Sequence, residues 1–215
     1  ELIFFKSSNK NYFVGPALIN PFLYINKIED YKDQKKSHKD ENFILIPRRL
    51  EPRTGVYQFL KMINRSSLKK YIKNNFIITG AGKDFDLISK FKTKYINYEI
   101  TGFIPYSELI EKIFKCKYLI IPSIDAEGYC LPARIAYIIG KPLVSTGIGG
   151  IPDAYPDKEG LFKYNDFNSF LVAHEKAIKF NLKKEDLLKR QSIAKTEFKN
   201  NLDFILLKKI INSQN

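Results

Sequence analysis

Three guanidiniums fall close together in Arg48-Arg49-Leu50-Glu51-Pro52-Arg53-Thr54-Gly55. Arginine carries a planar fork of donors that can grip a phosphate through two hydrogen bonds at once. A helix beginning near Gly55 would add main-chain N–H groups and a partial positive charge. The same arginines also suit a solvated surface loop, and their spacing alone leaves both readings open. A second stretch is Pro122-Ser123-Ile124-Asp125-Ala126-Glu127-Gly128-Tyr129-Cys130-Leu131-Pro132. It places main-chain donors and one carboxylate at the start of a helix. The donors could hold phosphate, and Glu127 could accept hydrogen bonds from sugar hydroxyls. A carboxylate repels a phosphate ligand unless it faces a neutral part of it, and a sugar diphosphate has such a part. Taken singly, Glu127 reads equally well as an acid complementing a helix N-terminus.

Other chemistries find little support. Gly80-Ala81-Gly82-Lys83 falls short of a phosphate-binding loop, because Ile77 stands where the first glycine belongs and Asp84 where Ser or Thr belongs. A tight strand-to-helix turn is the expected role. Asp84-Phe85-Asp86 has the spacing of a metal-binding acid pair, but it opens a helix, where carboxylates complement the dipole. His38 lies in a charged stretch and His174 in the middle of a helix, neither with a nucleophile or ligand nearby in sequence. Cys116 and Cys130 are the only cysteines and lack a metal-site or redox spacing. No metal site is expected.

The elements that would position these loops follow from the pattern of apolar residues. Phe43–Ile46, Phe76–Thr79, Ile96–Ile100, Leu119–Ile121 and Leu143–Ser145 read as strands, with Leu161–Tyr164 as a further one. Between them, helices are expected over 55–73, 84–93, 107–115 and 132–139. Further helices are expected over 166–179, 183–197 and 201–211. Strands alternating with helices imply a parallel sheet flanked by helices, an α/β Rossmann-like fold with a helical C-terminal tail. The strands are apolar end to end, as parallel strands covered on both faces must be. In such sheets ligands sit outside the carboxyl ends of the strands, and that is where Pro47, Gly80, Gly102, Pro122 and Gly147 punctuate the chain. The expected division is residues 1–42 as a linker or remnant of a preceding region, 43–164 as the Rossmann-like domain, and 165–215 as helices packing on it.

Composition sets outer limits. The 215 residues are 44% hydrophobic and 27% charged, enough for a core and unlike a disordered or collagenous chain. No apolar run reaches the roughly 18 residues of a membrane helix. Two unpaired cysteines suit a reduced, cytoplasmic compartment. The formal net charge of +13 suits an anionic partner: phosphorylated ligands, the inner face of a membrane, or nucleic acid. A solvated lysine-rich surface would carry the same charge.

Taken in order, Arg49-Leu50, Gly55, Gly80-Ala81-Gly82, Gly102-Phe103, Pro122-Ser123, Glu127-Gly128, Gly140-Lys141-Pro142-Leu143-Val144 and Gly149-Gly150-Ile151-Pro152 resemble the C-terminal half of a GT-B glycosyltransferase. The set is similar to retaining glycosyltransferase family four, in order and spacing, across residues 43–155. The resemblance implies one half of a GT-B fold that binds a nucleotide-diphosphate sugar and, with an N-terminal acceptor domain, transfers the sugar with retention. It implies Arg49 on the donor diphosphate, with Arg53 standing in for the usual lysine, which is Thr54 here. It implies Glu127 on the transferred sugar, so that Arg49 and Glu127 are the expected catalytic residues. Phe103 and Ile104 match the segment at the nucleotide base. Gly82, Ser123 and the run Gly128, Tyr129, Cys130 and Leu131 match the surroundings of sugar and phosphate. The family's second acid, which holds the ribose, falls at Ile135. No metal cofactor is implied. The acceptor domain is not among residues 1–42, so the chain would be a trimmed piece inactive alone, or a degenerate protein. The acceptor would be a glycan or lipid. Three rivals are a non-catalytic domain of the same fold, favoured by Thr54 and Ile135, a sugar-nucleotide epimerase on that fold, and a basic nucleic-acid-binding module. The last lacks any recognisable nucleic-acid motif, so no specific nucleic acid is expected.

Overall fold

The computed structural model describes residues 5–6, 12–13, 20–27, 42–65, 75–125 and 128–213. The chain divides into two compact units. One comprises Glu1–Lys36, Ile138–Gly140 and Leu182–Asn215, and the other Ser37–Tyr137 and Lys141–Asn181. In the first, β1 (Phe5–Lys6) pairs antiparallel with β2 (Tyr12–Phe13), and residues 22–27 are helical (α1).

The second unit holds the sheet. Its strands are β3 (Phe43–Pro47), β4 (Asn75–Thr79), β5 (Tyr98–Gly102), β6 (Leu119–Ile121) and β7 (Leu143–Ser145). They pair in the order β5-β4-β3-β6-β7, all parallel. Every residue of β3, β6 and β7 is buried, which explains why those strands read as unbroken apolar runs. The intervening helices are α2 (Val56–Ile63), α3 (Phe85–Ser89), α4 (Tyr106–Lys115), α5 (Leu131–Ile139), α6 (Ile151–Ala154) and α7 (Phe167–Lys179). The expected α/β architecture is therefore the one the chain adopts.

Packing follows the helical spacing. Val56, Phe59, Leu60 and Ile63 lie on one face of α2 and are all buried. Phe59 meets Phe170 of α7 edge to face at 5.1 Å. An aromatic side chain buried in this way contributes about 1.5–3 kcal/mol. His174, also on α7, shares a 2.6 Å hydrogen bond with the Tyr118 hydroxyl inside the core. Tyr118 is fully buried and His174 is 1% exposed, so each satisfies a polar atom of the other.

Several boundaries differ from expectation. The strand expected at Ile96 begins at Tyr98, because Thr93 Oγ1 donates to the Ile96 carbonyl at 2.7 Å and closes a turn there. The preceding helix ends at Ser89, where the Tyr98 hydroxyl reaches the Ile88 and Phe91 carbonyls at 2.6 and 2.7 Å. Leu161–Tyr164 does not form a full strand; only Leu161 bridges to Ser145. The backbone then turns through Asn165, at φ 56, into the α7 cap at Asp166. The helices expected over 183–197 and 201–211 are one continuous α8 (Lys184–Ser213) in the first unit. The helix expected over 55–73 ends at Ile63, with Asn64 as its C-cap, and residues 66–73 of that range lie outside the described residues. No described helix is long and apolar enough to cross a membrane.

Candidate functional site

The chain runs outward from β3 through β4 to β5, then returns to lay β6 on the other side of β3. The strand order reverses between β3 and β6. At such a switch point the loops leaving two neighbouring strands diverge and open a crevice beyond their carboxyl ends. The loop after β3 is Arg48–Gly55 and the loop after β6 is Pro122–Cys130, so the two chemically suggestive stretches border the same crevice.

Main-chain bonds tie these loops together. Arg48 N donates to Thr79 O and Leu50 N to Ala81 O, each at 3.0 Å. Gly80 N donates to Gly102 O at 2.7 Å, and Ile124 N to Arg53 O at 3.0 Å. The close approach demands glycine, as two of the positions show. A Cβ on Gly55, which has φ 70, would lie 2.1 Å from the Pro122 carbonyl oxygen. One on Gly82 would lie 2.3 Å from Leu50 O. The Gly80-Ala81-Gly82 turn thus lies against the loop that carries the arginines. Asp84 N donates to Leu50 O at 2.8 Å and opens α3 from the same turn.

Thr54 organises the β3 loop from within. It is 1% exposed. Its hydroxyl accepts from Glu51 N at 3.3 Å and lies 2.7 Å from both the Arg49 and Glu51 carbonyls. Its hydroxyl is engaged by the loop's own main chain, so Thr54 here serves the loop's shape. Arg53 Nε pairs with Glu51 Oε2 at 3.0 Å. The hydrogen bond from Arg53 holds the Glu51 carboxyl below the usual range against an opposing effect of desolvation. The charges of Arg53, Arg49 and Lys83 reinforce it. Arg53 is thus in contact with this carboxylate, and the charges of Arg49 and Lys83 are felt there. Arg49 is exposed, as are Arg53 and Lys83.

The remaining expected residues are placed as follows. Phe103 is 83% exposed at the end of β5, followed by half-buried Ile104. Ser123 is fully buried, and its carbonyl accepts from Thr146 Oγ1 at 2.6 Å. Gly128 is exposed, Tyr129 half-buried, Cys130 1% exposed and Leu131 37% exposed. Ile135 is fully buried in α5; its side chain packs in the core. Glu127 lies outside the described residues. The sequence reading gave Arg48 and Lys83 no role of their own. Lys83 was visible only as part of a failed phosphate loop, and its neighbourhood is set by the turn beneath it. Arg48 was hidden by its more exposed neighbour, although the period-two alternation of an extended segment sends the two to opposite sides. Among the described residues no group of three His, Cys, Asp or Glu could hold a metal ion.

Residues 27–202 match the family described as glycosyl transferases group 1. An uncharacterized glycosyltransferase of Methanocaldococcus jannaschii is 26% identical over 167 residues, covering 77% of this chain and 43% of that protein. This chain thus spans less than half the length of that relative. AviGT4, a glycosyltransferase involved in avilamycin A biosynthesis, superposes with a TM-score of 0.62 at 14% identity, covering 88% of this chain and 56% of that one. A TarM mutant from S. aureus, in complex with fondaparinux, alpha-GlcNAc-glycerol and UDP, has a TM-score of 0.55 at 19% identity, covering 82% and 36%. These likenesses place the fold among GT-B glycosyltransferases.

Proposed function

Because this chain belongs to the glycosyl transferases group 1 family, we propose that it is the donor-binding half of a glycosyltransferase. In this reading a nucleotide-diphosphate sugar binds at the carboxyl ends of β3 and β6. With an N-terminal acceptor domain outside this chain, the sugar passes to a glycan or lipid hydroxyl with retention of configuration. The observation that carries the reading is the set of exposed cations, Arg49, Arg53 and Lys83, on loops bonded to one another at the switch point of the sheet. Breaking the bond between the sugar and the diphosphate leaves negative charge on the leaving group. Cations already in place at that point stabilise the charge as it forms. Main-chain donors at the start of α5 would assist them. With the charge met in this way, the reaction needs no metal. The base would lie against Phe103 and Ile104, and the transferred sugar toward Glu127.

The first test is binding. Ligand-detected NMR with nucleoside diphosphates should show weak binding by this chain and no sugar transfer. UDP comes first, because it is in the TarM complex. Silence for every nucleotide at millimolar concentration would refute the reading, and so would turnover by this chain alone. A second reading, a non-catalytic domain of the same fold, is favoured by the burial of Ile135 and Thr54. Both stand where the resemblance expects polar ligand contacts. The net charge of +13 also supports peripheral attachment to an anionic membrane from the cytoplasmic side. Such attachment should appear as cosedimentation with anionic vesicles that high salt abolishes. Equal partition onto neutral vesicles would count against it.

A further inference from the structure

The donor-site reading treats the crevice as bounded by two loops, and what holds its α5 side in place is a separate question. The start of the β6–α5 loop is tied down by main-chain bonds: Ile124 N and Asp125 N both reach Arg53 O, at 3.0 and 3.3 Å. The end of that loop is met by a side chain. Arg48 Nη1 donates to Cys130 Sγ at 3.6 Å, a contact between residues 82 positions apart in the chain. Arg48 follows β3 directly, and Cys130 immediately precedes α5. The bond therefore spans the switch point between the two strands that border the crevice. Cys130 O in turn accepts from Arg134 N at 3.1 Å in the first turn of α5.

The electrostatics agree with an engaged pair. Burial draws the Arg48 guanidinium below its usual value, opposed by Cys130, while the charges of Arg53 and Arg49 add to the effect of burial. Burial raises the Cys130 thiol, and Arg48 opposes that rise. Arg48 therefore sits half-buried beside two other guanidiniums, an arrangement that costs free energy. A leucine would escape that cost but would offer the sulfur no donor, and a lysine would keep the charge without the planar fork.

We propose that Arg48 is a positioning residue: through Cys130 it holds the Gly128–Leu131 turn and the first turn of α5 in register with the end of β3. The consequence for the donor-site reading, on which this part rests, is that the main-chain donors at the head of α5 stay aligned for a diphosphate.

The test has two arms on the same chain. The first needs no nucleotide. N-Ethylmaleimide modification is followed by peptide-resolved mass spectrometry, which reads Cys130 and Cys116 separately. Both thiols are buried, so each rate reports an opening of its surroundings. In Arg48→Ala, Cys130 should react about tenfold faster, the equivalent of one lost charged hydrogen bond, with Cys116 unchanged. Arg48→Lys should restore part of the protection. Equal acceleration of both thiols would show a general loss of stability and overturn the proposal, as would no change at Cys130. The second arm measures UDP, GDP and ADP binding to Arg48→Ala, Cys130→Ala and the double variant. If Arg48 acts through Cys130, the two single losses match and the double variant is no worse. A loss confined to Arg48→Ala, or losses that multiply, would mean that Arg48 touches phosphate itself, and would overturn the positioning role. Cys130 protection that depends on Arg48, in a chain that binds no nucleotide, would uphold the positioning role and sink the donor-site reading.

Discussion

Two glycines of the site answer to different demands. Gly55 is required by the fold, since its Cβ would collide with the Pro122 carbonyl and its φ is 70. Gly128 is not: a Cβ there meets nothing within 4 Å, and its backbone lies outside the left-handed region. Gly128→Val should therefore leave the melting temperature unchanged while weakening nucleotide-sugar binding roughly tenfold, the scale of one lost charge-assisted contact. A fall in both would place the glycine's role in folding instead. The arginines divide similarly. Arg53 is engaged by Glu51, whereas Arg49 follows the strand through one residue and is exposed. Arg49→Ala should cost about 1.5–3 kcal/mol of nucleoside-diphosphate binding, and Arg53→Ala less. Isothermal titration of both variants decides this, and equal or reversed losses would shift the phosphate toward Arg53.

Helix α5 shows how an element constrains what a site can contain. The resemblance puts an acid at 135, but the side chain there is wholly buried. Ile135→Glu should therefore destabilise the protein by several kcal/mol, as a buried unpaired carboxylate does. Thermal melts with and without nucleotide check it. Recovery of the melting temperature on adding nucleotide would show that position 135 can still face a ligand. The seam between β6 and α7 makes a second case. Tyr118→Phe removes the hydroxyl that meets His174 Nδ1 at 2.6 Å. It should cost about 1–3 kcal/mol in urea unfolding, the penalty for leaving a buried polar atom without that partner. A neutral outcome would mean that water or another group takes the hydroxyl's place.

At the scale of the folded molecule, the sheet-bearing unit should be sensitive to alkali. Burial raises both the Cys130 thiol and the Tyr118 hydroxyl above their ordinary values of 9.0 and 10.0. The folded state therefore holds these protons more tightly than the unfolded chain. Their contribution is intact below the ordinary values and is lost as pH rises through the raised ones. Urea midpoints should be level up to about pH 9 and then fall. Cys130→Ser should remove the earliest part of that fall. A decline that began near neutrality would have another origin.

The architecture was legible because it rests on local periodicity. Unbroken apolar strands and the four-residue stripe of α2 are properties of neighbouring residues, and burial merely completes them. Glycine and proline at the strand ends marked the edge where a ligand would sit, for the same local reason. The sequence also ordered enough weak motifs to identify a family. It could not say which arginine points where, since Arg48 and Arg49 are chemically identical neighbours whose difference lies in a cysteine 82 positions away. Nor could it reveal that the charge of Lys83 is felt at Glu51, because that depends on the Gly80–Gly82 turn lying against the β3 loop. The role of Thr54 likewise rests on hydrogen bonds inside its own loop. Periodicity determines which residues form strands and helices, whereas contacts across strand ends exist only once the sheet has set their register.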